Sequence, residues 1–109
     1  MDTRQAGQGP CVNTGSPRDL TVVGVGGVPA SGVGAVALNV TITQPTASGY
    51  ITVWPKGVAQ PLASNLNFVA GQTVPNMVLV KVGTGGKITI ANIGGCSHVV
   101  VDVVGWFAT

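Results

Sequence analysis

The side chains of this chain that could carry out a reaction are few and widely spaced. His98 is the single histidine, and a hydrolase triad would need it beside an activated serine and a carboxylate. The G-x-S-x-G elbow that displays such a serine is absent. The three carboxylates, Asp2, Asp19 and Asp102, form no acidic pair of the kind glycoside cleavage uses. Asp102 lies in a valine-rich run, where an unpaired carboxylate would be costly. A structural ion pair is therefore expected there. Arg4 is the expected partner, because guanidinium and carboxylate satisfy one another bidentately. No catalytic residue is assigned.

Cys11 and Cys96 are far apart and form no C-x-x-C pair. Only His98 stands near as a co-ligand, so a zinc site is short of donors and neither a metal nor a cofactor is expected. A disulfide is the preferred reading, with two free buried thiols as the alternative. Closing so long a loop is worth roughly 4 kcal/mol in the chain-entropy picture, and it would staple an irregular lead over residues 1–17 to the last third of the chain.

The aromatic residues offer the best lead to a ligand. Tyr50, Trp54 and Trp106 fall on the parity opposite the expected core residues Ile51, Val53 and Val103. Exposed rings on a flat sheet face would let pyranose rings stack by apolar contact. Tyr50 and Trp54 would stand roughly 13 Å apart at about 3.3 Å per residue, with Trp106 extending the platform. A polysaccharide or cell-wall surface is the partner this implies, unless Trp54 packs beneath a loop.

The elements that must position these residues are strands. With 109 residues there is room for one domain with a core able to support itself. Charged residues make up 7% of the chain, against about 25% in a typical soluble domain, so solubility rests on hydroxyls, amides and backbone. The net charge of +2 comes from scattered residues without a basic stripe, which argues against nucleic acid. No apolar run approaches the roughly 20 residues of a membrane helix, so no membrane insertion is expected. The segment MDTRQAGQGP lacks the basic and apolar regions of a secretion signal.

In residues 36–43, Val36, Leu38, Val40 and Ile42 share one parity and Ala37, Asn39, Thr41 and Thr43 the other, the mark of a strand with one buried face. Residues 34–57 read as a β-hairpin about the turn 44–49. Further strands are expected over 18–25, 64–69, 74–82, 87–91 and 98–107, and Pro75 makes the start of one an edge or a bulge. Residues 83–86 read as a glycine-rich hairpin turn. The last strand should place Val99, Val101, Val103 and Phe107 on one face and His98, Val100, Asp102, Val104 and Trp106 on the other. The glycine-rich stretch 24–34 has neither G-x-G-x-x-G spacing nor Gly-Lys-Ser/Thr, so it is a loop rather than a phosphate cradle. No substantial helix is expected. The fold class is all-β: a single antiparallel β-sandwich of about seven strands spanning residues 1–109, Ig-like or jelly-roll-like.

The strings GGVPASGVGAVALNVT, PTASGYITVWPKG, ASNLNFVAGQTVPN and VVVDVVGWF, with the DTR of Asp2-Thr3-Arg4, resemble a repeated β-rich accessory module of secreted, often multidomain, actinobacterial proteins. The resemblance covers nearly the whole chain. It implies a non-catalytic, extracellular or cell-surface role as a spacer or interaction scaffold, with neighbouring domains or further copies as partners. A carbohydrate-binding module and a self-assembling surface or particle coat are the alternatives. Met1 abuts the DTR directly, where the family pattern has further residues, as an excised domain with an added start Met would.

Overall fold

The computed structural model describes residues 1–5 and 10–109. Eight strands follow in chain order: β1 (Val12–Asn13), β2 (Arg18–Thr21), β3 (Val33–Thr43), β4 (Gly49–Pro55), β5 (Leu66–Phe68), β6 (Val74–Lys81), β7 (Lys87–Ile93) and β8 (Cys96–Ala108). Among the described residues the one helical element is a 3₁₀ turn at Thr84–Gly86. Four strands in the order β1-β8-β3-β6 make one sheet, and four in the order β2-β7-β4-β5 make the other. Every pairing is antiparallel. The all-β sandwich expected from the alternation is what forms.

Alternation explains the layers. On β3, Val36, Leu38, Val40 and Ile42 have no exposed surface. Their cross-strand partners Val80 and Val78 on β6 and Val101 and Val99 on β8 extend the same apolar face. The facing sheet supplies Ile51 and Val53 from β4, Ile88 and Ile90 from β7, and Leu66 and Phe68 from β5. Each such side chain contributes about 1.5–3 kcal/mol on leaving water, and both sheets must bring their apolar faces together to gain it.

Two expected hairpins are corrected for this reason. β3 and β4 lie in different sheets, as do β6 and β7. Residues 34–57 are therefore a crossover, and so are residues 83–86. A tight hairpin uses a two-residue turn, whereas 44–49 is a longer link. It begins at Gln44 with φ 55° and must cover the roughly 10 Å between packed sheets. At its far end Gly49 and Gly94 pass so closely that a Cβ at Gly49 would lie 1.9 Å from the Ile93 carbonyl oxygen. No other residue fits there.

The strand over 18–25 stops at Thr21, and that over 64–69 contracts to Leu66–Phe68. β6 is an edge strand, consistent with Pro75. Of the lead 1–17, residues 6–9 lie outside the described residues. The described part is less irregular than expected. Met1 and Val101 exchange hydrogen bonds of 3.0 and 2.7 Å, Asp2 bridges Val100, and Val12–Asn13 pairs with Cys96–Ser97.

Candidate functional site

The aromatic platform expected on one face does not form. Trp54 is only 7% exposed, which corrects its assignment as a displayed ring. It does lie on the outer side of its sheet, in a row with Thr89 and Asp19 across β7 and β2. That row is roofed. Lys56, two residues beyond Trp54, reaches back to ion-pair with Asp19. The connector after β4 folds over the strand: Thr52 Oγ1 donates to the Ala63 carbonyl at 2.7 Å, and the Val53 amide donates to Asn65 Oδ1 at 2.7 Å.

Tyr50 and Trp106 are exposed by 37% and 43%, but they belong to different sheets. Trp106 is also on the opposite side from the one its parity indicates. Leu38 faces Val103 while Ala37 faces Gly105, so β8 carries one extra residue, Val104. This β-bulge reverses the alternation beyond it. Trp106 therefore falls opposite Val36 on the core side, and Phe107 falls opposite Ala35 on the outer side.

The expected pairing of Arg4 with Asp102 is also corrected. Arg4 binds Asp2 bidentately, Nε to Oδ1 at 3.0 Å and Nη2 to Oδ2 at 2.9 Å. The bonds from Arg4, its guanidinium first and its backbone amide second, lower the Asp2 pKa from 3.8 to about 2. A partner two residues away in a turn costs less chain ordering than one across the sheet. Asp102 needs none, because its cross-strand partner Asn39 is on the outer face and Asp102 is exposed to water.

His98 shares a 3.0 Å hydrogen bond between its Nδ1 and Thr3 Oγ1. The same hydroxyl accepts from the Val99 amide at 2.8 Å. The pair tethers the amino-terminal segment to β8. Cys11 and Cys96 form the expected disulfide, with Cα atoms 5.7 Å apart. Among the described residues, no group of three or more His, Cys, Asp or Glu could hold a metal ion, and no helix is long and apolar enough to cross a membrane.

What the aromatic and charged residues did not announce is the outer face of β6-β3-β8. Cross-strand register arranges it in rows: Lys81, Ala35 and Phe107; Leu79, Ala37 and Gly105; Met77, Asn39 and Asp102. Met77, Leu79 and Phe107 are exposed by 60%, 67% and 54%. Between them the floor is Ala35, Ala37 and Gly105, so the surface is apolar and low. One signal was present in the sequence. Met77 and Leu79 alternate with Val78 and Val80, making β6 apolar on both parities, although an edge strand with one solvated face should alternate with polar residues. A groove between β2 and β8 is lined by Met1, Leu20, Val22 and Val103 together with the polar Thr21 and Asp102.

Set against known proteins, the chain matches no family model, no curated protein and no solved structure.

Proposed function

We propose that this chain is a non-catalytic extracellular accessory module, a structural spacer or interaction scaffold of a secreted actinobacterial protein, which makes its contacts through the outer face of β6-β3-β8. The observation that carries this reading is the gathering of Met77, Leu79 and Phe107 on one sheet surface. A few exposed apolar residues scattered singly need no explanation, whereas a contiguous patch marks an interaction site. The site-like polar residues have structural partners instead: His98 with Thr3, Arg4 with Asp2, Asp19 with Lys56 and Thr89. The disulfide supports an oxidising, extracellular setting.

Carbohydrate or cell-wall binding has less support, because Trp54 is roofed and Tyr50 and Trp106 share no face. The test combines two measurements on the protein and its Met77→Lys/Leu79→Lys variant. Native-state binding of a hydrophobic dye should fall sharply in the variant while the thermal midpoint stays near that of the parent. Retention on insoluble chitin, cellulose or peptidoglycan that disappears in Trp106→Ala would overturn the reading in favour of a sugar-binding module.

A further inference from the structure

We infer that the outer face of β6-β3-β8 pairs with a second copy of this chain about a two-fold axis lying in the interface. The inference rests on the reading of that face as a contact surface and adds the identity of the partner.

Charge carries it. In the three central rows the only charged residues are Lys81 and Asp102, both exposed and neither in an ion pair among the described residues. Ala37 lies between them, because Lys81 is in the Ala35 row on β6 and Asp102 is in the Asn39 row on β8. With strands about 4.8 Å apart and about 3.3 Å per residue, they stand roughly 16 Å apart on a diagonal centred on Ala37. A two-fold axis through that centre, in the plane of the interface and perpendicular to the diagonal, sets each Lys81 over the Asp102 of the other copy. A surface with one cation and one anion related in this way is complementary to itself, which an isologous interface requires.

The apolar residues fall where the same axis needs them. On that grid Met77, Leu79 and Phe107 all lie within about 3 Å of the axis. Each therefore meets its own equivalent, and two salt bridges flank an apolar seam. The strands of the two copies then cross at roughly 70°, nearer the orthogonal class of sheet packing than the aligned one. Across the roughly 10 Å between packed sheets, a lysine side chain reaches a carboxylate.

Area sets the strength. Two strips, each three strands or about 14 Å wide, that cross at roughly 70° overlap over roughly 220 Å² per copy. The total of about 440 Å² is well below that of a stable specific interface, so the pair is weak and transient and its population follows concentration. A weak contact of this kind suits a module held at high local concentration by its neighbours.

Reversing the charges tests the geometry. Sedimentation equilibrium of the protein over a wide concentration range should give a monomer–dimer equilibrium that weakens with added salt. Lys81→Asp and Asp102→Lys should each weaken it by at least tenfold, since each opposes like charges twice. An equimolar mixture of the two variants should associate again, because each copy then supplies the charge the other lacks. A protein that stays monomeric throughout, or a mixture that associates no better than the separate variants, overturns the inference. If the parent is monomeric while its dye binding still depends on Met77 and Leu79, only the second copy is lost as the partner. If dye binding ignores those residues, the reading of the face fails with it.

Discussion

Trp106 stands opposite Val36 across the β3–β8 ladder, on the core side of its sheet. Val36 has no exposed surface, while Trp106 keeps 43% of its own, so the indole is only partly withdrawn from water. Replacing it with alanine should cost about 1–2 kcal/mol, less than the roughly 3–5 kcal/mol of a fully buried aromatic. Urea unfolding measures this, and an unchanged midpoint would show that the ring packs on nothing.

Trp54 should behave as a core residue although it faces outward. Trp54→Ala is expected to cost roughly 3–5 kcal/mol, because the connector and the Lys56–Asp19 pair cannot collapse fully into the space. Lys56→Ala should expose the ring and raise its fluorescence quenching by iodide. If Trp54→Ala melts like the parent, the roof over β4 is not there in solution.

Much of the fold was legible because one physical rule, apolar residues on alternate positions, governed β3, β4, β7 and most of β8. What escaped that rule has identifiable causes. Alternation says which face of a strand is buried but not which strand lies beside it, so β3 and β4 read as a hairpin when they pack face to face across the core. A single inserted residue at Val104 exchanged the positions assigned to Trp106 and Phe107, and nothing in a run of valines marks a bulge. Burial of Trp54 depends on what lies over the outer side of its sheet, of which alternation says nothing. The outer apolar face depends on cross-strand neighbours, and one strand read alone does not reveal them. The Cys11–Cys96 bridge was legible because only two cysteines were available to choose from.

That bridge ties β1 to β8. The oxidised protein, unfolded without reductant, should give no reactive thiol in a titration. The paired substitution Cys11→Ser/Cys96→Ser should lower stability by about 4.5 kcal/mol, the loop-closure value for a sequence separation of 85. Amide exchange should rise first in the short β1 pairing. Two thiols per chain in the titration would exclude the bridge.

Asp102 is exposed on the outer face with no ion-pair partner among the described residues. Asp102→Ala should therefore leave the thermal melt within about 0.5 kcal/mol of the parent, as for an ordinary surface position. A loss near 3 kcal/mol, the size expected for breaking a buried pair, would mean that the carboxylate is buried and paired after all.

Acid should weaken both carboxylate pairs. The Lys56 ammonium holds the Asp19 carboxylate, and Thr89 Oγ1 donates to it at 2.7 Å. In that order these partners lower its pKa from 3.8. A carboxylate with a depressed folded-state pKa binds its proton more readily in the unfolded chain. Its contribution is complete above the unfolded value, near 4, and is lost as the pH falls through the lower folded value. Asp2, held at about 2 by Arg4, loses its contribution only as the pH falls toward 2. Both pairs are exposed enough for solvent and salt to screen them, so each effect is small. Thermal midpoints of the parent and of Asp19→Asn, measured from pH 7 down to pH 2, should differ at neutral pH and converge below about pH 4. The difference should also shrink in high salt. A gap that stays constant through the acid range would show that Asp19 stabilises the fold by something other than its charge.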